Sequence, residues 1–91
     1  MGGGKAAVDL VGKFILAGDS GLLERYYKAL MERLLDKGVS VRKSVVKTLR
    51  GVLLADPGHP RRTEMCRALL ERVVVVREED TIRDLIRETF Q

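Results

Sequence analysis

The 91-residue sequence has one cysteine, one histidine and no tryptophan, and these shortages exclude several classes of protein. A single cysteine, Cys66, forms no internal disulfide and indicates a reducing compartment. Together, Cys66 and His59 supply neither the four ligands typical of a zinc site nor a thiolate–imidazole pair that the spacing would support. We therefore expect no cofactor, no small-molecule substrate and no catalytic residues.

Long apolar runs are also missing. A membrane-spanning helix needs about 20 consecutive apolar residues, and no stretch here approaches that length, so we expect no membrane partner. The first six residues, MGGGKA, lack the apolar core of a signal peptide, the hydroxyl residue of a myristoylation signal and the Ser or Thr of a P-loop. We interpret residues 1–4 as a flexible lead-in.

What the sequence does contain is a succession of helical patterns. Their spacing predicts five helices, at residues 5–17, 19 or 20 to about 36, 41–55, from 60, and from near 81. Aromatic residues make up only 4% of the chain, which suits thin layers of helices with cores of Leu, Val and Ala. The four valines at 73–76 favour a strand. Because a lone strand would have no partner, we interpret this run as the end of the fourth helix.

Turn residues predict how these helices begin and end. Gly18 should end the first helix, and Gly38 should close the second with left-handed backbone. Asp19 or Ser20 should cap the second helix, and Ser40 the third. A weak capping box, Thr81 to Asp84, should start the fifth.

Inward faces follow from the same spacing. The predicted inward residues of the first helix are Ala7, Leu10, Val11, Phe14 and Ile15. Those of the third are Val41, Val45, Leu49, Val52 and Leu53. In the second helix they include Leu35, in the fourth Met65, Leu69, Leu70 and Val73, and in the fifth Phe90.

An internal repeat decides the predicted architecture. Val41-Arg42 recurs 41 residues later as Ile82-Arg83, and the first helix can be laid on the third at an offset of 38 residues. Periods of about 40–47 residues with two helices each are typical of HEAT and armadillo solenoids. We predict an all-α solenoid of HEAT repeats, with two helical hairpins and the first helix of a third. Residues 5–91 would be a fragment of a larger solenoid with apolar ends.

One turn looks like the hallmark of HEAT repeats. Asp36 precedes the turn, Arg42 lies just inside the next helix, and Arg83 repeats its position. In such repeats the arginine typically reaches a turn carboxylate and fixes one hairpin on its neighbour. A solvated arginine in a first turn is the general alternative, and the sequence leaves it open.

The basic residues predict a surface. The net charge is +4 and the pI about 9.6. Lys43, Lys47 and Arg50 share one face of the third helix, and Arg61 and Arg62 follow the proline-rich loop. These charges would form a strip that contacts phosphates without reading sequence. The alternative is an ordinary solvated face with Glu64 and Glu71 interspersed.

Several stretches taken together resemble one family. They are AAVDLVGKFIL at residue 6, YY at 26, LLDKGVSVRK at 34, VKTLR at 46, TEMC at 63 and ETFQ at 88. They are similar to the cohesin-associated HEAT repeat of the Nipped-B, or adherin, family. The sequence departs from the family in two places. Residues 74–77 look like an insertion where the family has a short acidic turn, and Ser44 stands where relatives tend to carry a second basic residue.

The resemblance implies a nuclear, chromosome-associated segment of the protein that loads the cohesin ring in sister chromatid cohesion. It would be a non-catalytic scaffold whose partners are cohesin ring subunits and chromatin DNA. A generic HEAT-repeat adaptor that binds only proteins is the competing hypothesis. Neutralising the third-helix cations distinguishes the two.

Overall fold

A computed structural model of the chain describes residues 4–74 and 78–90. Within those residues the chain forms five α-helices and no strand, which confirms the all-α prediction. The helices are α1 (Lys5–Leu16), α2 (Ser20–Arg33), α3 (Val39–Ala55), α4 (Arg62–Val74) and α5 (Asp80–Thr89). The first two valines of the 73–76 run complete α4, and the other two lie outside the described residues.

The helices pack in two layers around α3. This helix packs against each of the other four, whereas α2 packs against α1 and α3, and α4 packs against α3 and α5. This pattern places α1, α3 and α5 in one layer and α2 and α4 in the other. The shortest dimension, 17 Å, fits two helices packed about 8–10 Å apart. The arrangement is compatible with the predicted HEAT-like hairpins.

Aliphatic side chains from all five helices form one core. All five residues predicted to face inward on α3 are buried. The other helices contribute Val8, Ile15, Leu23, Leu30, Leu34, Met65, Leu69, Ile82 and Ile86. Burial of this set removes aliphatic surface from water and supplies the main stabilisation of the fold.

The inward face of α1 was predicted correctly only in part. Ile15 is buried and Val11 packs against the core as predicted, whereas Leu10 and Phe14 are 58% and 52% exposed. Val8 and Gly12 are also buried but were not predicted to face inward. Because the buried stripe contains a glycine, a pattern built from large apolar residues shifts the predicted face around the helix. Leu35, Leu70 and Phe90, also predicted to face inward, are exposed.

Two of the four turn predictions for the first three helices hold. Gly18 has a φ of 111°, the left-handed value expected after α1. Asp19 caps α2, because its Oδ1 accepts a hydrogen bond from the Leu22 N–H at 3.0 Å. Gly38 has a φ of −79°, so the left-handed prediction there is wrong.

The cap predictions for α3 and α5 are wrong for a common reason. Ser40 is the second residue of α3, and the cap position belongs to Gly38, whose N–H donates to Asp36 Oδ1 at 2.8 Å. Likewise Glu79 precedes α5, and its carboxylate accepts from the Thr81 N–H at 3.0 Å. Each helix therefore starts before the hydroxyl residue that was expected to cap it.

A buried ion cluster joins the second hairpin to α5. The Glu78 side chain, 1% exposed, accepts from Arg42 Nη2 at 2.9 Å and from Arg72 Nη2 at 2.8 Å. The Glu79 N–H donates to Glu78 Oε1 at 2.8 Å. Arg42 also donates from Nη1 to the Asp36 carbonyl at 2.8 Å. The cluster therefore connects α3, α4, the turn before α3 and the turn before α5.

The cluster also determines the protonation of its carboxyl group. Burial raises the pKa of Glu78, but hydrogen bonds from Arg42, the Glu79 N–H and Arg72 outweigh that effect. The pKa of Glu78 consequently lies below its usual value. The ionised carboxylate is thus the form that the fold selects.

Two glycines allow α1 to approach α3 closely. A Cβ added at Gly12 would overlap the Thr48 Oγ1, and one added at Gly51 would overlap the Leu16 side chain. Ser44 on α3 also donates a hydrogen bond to Asp9 on α1. The α1–α3 contact therefore depends on small residues and one polar link.

Replacing the buried carboxylate should destabilise the protein. Glu78→Gln leaves two buried arginines without their charge partner, so we expect a loss of about 3 kcal/mol in the free energy of unfolding at neutral pH. Because the folded pKa is lowered, the carboxylate's contribution is complete above its unfolded value of about 4.3 and is lost as pH falls through the folded value.

Urea denaturation across that pH range tests this expectation. The stability difference between the original protein and Glu78→Gln should narrow progressively below about pH 4. The exposed Glu88→Gln on the same chain is the control and should change stability by no more than about 0.5 kcal/mol. Equal urea midpoints for the original protein and Glu78→Gln at neutral pH would contradict the cluster's role.

Gly12→Ala should also destabilise, although alanine is the better helix former. Its methyl group would collide with Thr48 Oγ1, and overpacking of this kind costs about 1–3 kcal/mol. Thr48→Ala removes the colliding atom, so the double variant should recover most of that loss in a double-mutant cycle. Gly21→Ala, at an open position of α2, is the matched control and should be neutral or stabilising. Additive effects of the first two substitutions would refute the steric explanation.

Candidate nucleic-acid interface

Two of the predicted basic residues line one cavity. Lys43 and Lys47 lie one turn apart on α3, at the edge of a cavity of about 260 Å³. We call it the basic cavity, and its lining residues are Lys5, Asp9, Ser40, Lys43, Ser44 and Lys47. It lies between α1 and α3, so the contact between these helices determines its shape.

The cavity has more positive than negative charge. Lys5 Nζ is 2.7 Å from Asp9 Oδ2, and Ser44 donates to the other carboxylate oxygen. The Lys5 hydrogen bond, followed by that of Ser44, holds the pKa of Asp9 below its usual value, and the charge of Lys47 acts in the same direction. Among the described residues, no carboxylate lies within 4.0 Å of the Lys43 or Lys47 ammonium group. These two lysines supply the excess charge.

Arg50 extends the same face of α3 but does not line the basic cavity. Its side chain is half-buried, and its Nε is enclosed with no hydrogen-bond partner in the described part of the chain. The predicted face is therefore present as a helix surface, with Lys43 and Lys47 at the cavity and Arg50 beyond it.

Arg61 is committed to contacts within the fold. Its Nε and Nη2 donate to the two carboxylate oxygens of Glu24 at 2.9 and 3.1 Å, and Nη1 donates to Glu64 at 3.0 Å. The guanidinium carbon lies 4.1 Å from the centroid of the Tyr27 ring. The Glu24 hydrogen bonds contribute most to raising the pKa of Arg61. Two carboxylates thus compensate the charge of Arg61, and its hydrogen bonds link α2 to the start of α4.

Arg62 belongs to a different surface. It lines a second cavity of about 210 Å³, together with Leu54, Cys66 and Phe90 among other residues. The five predicted contact residues therefore do not form one continuous strip. The structure brings Lys43 and Lys47 together with Lys5, which the prediction missed. The internal repeat contained the signal, since Lys5 aligns with Lys43 at the 38-residue offset.

The three predicted ladder residues occupy related positions. Arg42 and Arg83 are each the fourth residue of their helix, α3 and α5. Arg42 binds the Glu78 carboxylate and the Asp36 carbonyl, whereas the Asp36 carboxylate accepts from Arg33 at 3.1 Å and from the turn backbone. Arg83 is half-buried, and its Nε has no hydrogen-bond partner in the residues described.

Sequence reasoning missed the partner residues of this cluster. Neither Glu78 nor Arg72 was predicted as a partner of Arg42. They lie 36 and 30 residues from Arg42 along the chain, a separation at which helical periodicity carries no pairing information.

In residues 4–74 and 78–90, no three His, Cys, Asp or Glu side chains converge as metal ligands would. His59 accepts a hydrogen bond at Nδ1 from the Arg61 N–H at 3.0 Å, within the loop before α4. None of the described helices has both the length and the apolar character of a membrane span.

Comparison with known proteins identifies the family. No family model matches the chain. The Nipped-B-like protein of Homo sapiens is 46% identical over 87 residues, which is 96% of this chain and 3% of the relative. The Nipped-B protein of Drosophila melanogaster is 44% identical over 86 residues, covering 94% of this chain and 4% of the relative. This chain belongs to the Nipped-B family.

The Nipped-B match extends to a more distant relative. The Nipped-B-like protein scc-2 of Caenorhabditis elegans is 34% identical over 86 residues, again 94% of this chain and 4% of the relative. The chain thus corresponds to about 3–4% of the length of these relatives. Because the human match leaves out only four of the 91 residues, nearly all of the two-layer helical fold lies in a span that Nipped-B proteins share.

Proposed function

We propose that this segment is a non-catalytic scaffold of a cohesin-loading chromatin protein that acts in sister chromatid cohesion. Its partners would be cohesin ring subunits and chromatin DNA, and its location the nucleus and the chromosomes. The match to Nipped-B proteins supports the family assignment on which this function rests. The two-layer packing of short helices supports a scaffold, because such layers present extended surfaces to partners.

The basic cavity is the observation that carries the nucleic-acid part of the proposal. Lys43 and Lys47 present two ammonium groups without carboxylate partners on an outward face of α3, and Lys5 lies in the same cavity. Ammonium groups bind phosphate as point charges and release condensed counterions. Contact through this cavity would therefore be independent of base sequence and sensitive to salt.

We also propose that residues 5–91 pack against further helices of the same kind. The lead-in predicted at residues 1–4 lies, except for Gly4, outside the described residues. Val8, Gly12 and Ile15 are buried on α1, while Leu10 and Phe14 project from another side of that helix and are exposed. A helix with apolar side chains on two sides is typical of an element packed between neighbours. This second apolar side supports the stacking of another helical element on α1.

A protein-binding adaptor is the second candidate function. The cavity beside Arg62 has an apolar lining that includes Leu54 and Phe90, which are 55% and 42% exposed. Exposed apolar side chains next to a cation suit a protein partner better than a phosphate backbone. This observation favours adaptor function at that end of the fold.

Neutralising the basic cavity tests DNA contact. The unmodified chain should bind a short duplex of mixed sequence, with affinity that falls steeply between about 50 and about 200 mM salt. Lys43→Gln with Lys47→Gln should weaken binding about tenfold at the lower salt and reduce the slope of log affinity against log salt by about 2. Fluorescence anisotropy with labelled duplex measures both quantities.

The control variant removes the same amount of positive charge at two lysines outside the basic cavity. Lys28 on α2 and Lys37 in the turn before α3 are exposed and outside the basic cavity, so Lys28→Gln with Lys37→Gln should change affinity less than twofold. Equal losses in the two double variants would show only a net-charge effect. Failure of the unmodified chain to bind duplex at low salt would refute DNA contact and leave the adaptor function.

A further inference from the structure

We propose that Ser40 is a phosphorylation site, and that its phosphate occupies the basic cavity and prevents the cavity from binding nucleic acid. The second half of this proposal rests on the proposed function, because it deepens the role of the same site. The first half rests only on the residues around Ser40.

The cavity contains two serines, and only one is accessible. Ser40 is exposed and lies among the lining residues with Lys5, Lys43 and Lys47. Ser44 is 6% exposed and commits its hydroxyl to Asp9. A phosphoryl group can therefore be added to Ser40 without breaking the α1–α3 contact, whereas modification of Ser44 would break it.

Charge in the cavity favours a phosphate on Ser40. Lys5, Lys43 and Lys47 face one lining carboxylate, Asp9, so the lining carries an excess of two positive charges. Another acidic group close by is Glu79, whose pKa is lowered first by its hydrogen bond from Thr81 and also by the charge of Lys43. A phosphoserine adds about −1.5 to −2 charges near neutral pH and would cancel the excess of the lining.

The backbone around Ser40 supports the same conclusion. Ser40 is the second residue of α3, and the first turn of α3 has no acidic residue and receives no side-chain cap. By contrast, Asp19 and Glu79 cap α2 and α5 with carboxylates. A phosphate on Ser40 would bring negative charge to the N–H groups at this helix end, in addition to the three lysines.

The reaction needs a protein kinase and a nucleoside triphosphate. The Ser40 Oγ attacks the γ-phosphorus, an Oγ–P bond forms, and the bond from that phosphorus to the β–γ bridging oxygen breaks. The nucleoside diphosphate leaves, and the hydroxyl proton passes to the base of the kinase. Lys37 and Lys43, three residues before and after Ser40, suit a kinase that recognises basic residues. Only the end of α3 must open to admit the kinase, and helix ends open most readily.

Modification is tested directly on the folded chain. Incubation with a kinase selective for basic sequences and ATP, followed by peptide mapping by mass spectrometry, should place phosphate on Ser40 and not on Ser44. Ser40→Ala should remove that signal. Absence of phosphate at Ser40 after incubation of the folded chain would overturn the assignment of the site.

Occupation of the cavity is tested by thermal melting. Chains carrying phosphate on Ser40 should melt about 4 °C higher than unmodified chains, and most of this gain should be lost with Lys43→Gln and Lys47→Gln. The control carries phosphate on Thr63, the exposed second residue of α4, where any gain should be indifferent to those two lysines. A Ser40 gain that persists undiminished without Lys43 and Lys47, or no gain, would overturn occupation of the cavity.

The effect on nucleic acid is a separate readout. Phosphate on Ser40 should weaken duplex binding at least tenfold, and phosphate on Thr63 less than twofold. Unchanged binding by the Ser40 form, where the unmodified chain does bind, would refute the switching role. Where the unmodified chain binds no duplex, the proposed function fails, and the kinase and melting experiments still decide whether Ser40 is modified and its phosphate held by the lysines.

Discussion

The buried carboxylate of Glu78 is the constraint on which the arrangement of the helices depends. A charge removed from water costs several kcal/mol unless hydrogen bonds and opposite charge replace its hydration. Glu78 finds that replacement only where Arg42, Arg72 and the Glu79 N–H converge. Because these groups belong to α3, α4 and the turn before α5, the carboxylate is satisfied in one relative placement of the three helices. Aliphatic packing supplies most of the stability, and this cluster supplies positional specificity.

Local features of the fold could be predicted from the sequence, and distant pairings could not. The inward face of α3 followed from its apolar spacing, and the equivalent positions of Arg42 and Arg83 followed from the 41-residue repeat. Ile15 on the buried side of α1 was predicted, but Gly12 at the centre of that side was not, because its role is to let Thr48 approach closely. A glycine has no side chain, so it adds nothing to the hydrophobic pattern from which buried faces are predicted. The same limit applies to the start of α3, where Asp36 binds the Gly38 N–H in place of a serine cap.

The candidate interface shows the same division. Lys43 and Lys47 were grouped correctly because residues four apart share a helix face. Arg61 was assigned to the same strip on charge alone. Its ion pairs with Glu24 and Glu64 compensate that charge, so it does not add to the positive surface. Glu24 lies 37 residues away, so only the folded structure, which brings α2 beside the loop before α4, reveals the compensation. A formal charge count includes every cationic side chain. Phosphate binding, however, depends mainly on the cations that are not already paired with a carboxylate.

Helix α3 uses different sides for its packing contacts and for the candidate phosphate-binding surface. Because the two sides differ, the proposed function can be tested without disturbing the fold. One side meets α1 through Ser44, Thr48 and Gly51, and Arg42 reaches the turn before α5. Lys43 and Lys47 take part in neither contact, so their charge can be changed while the supports of the fold remain. The proposed phosphorylation site, Ser40, lines the same cavity as these two lysines. A phosphate there would change the charge of the cavity without requiring the protein to refold. Under the proposed function, phosphorylation of Ser40 would therefore weaken DNA contact while the fold stays intact.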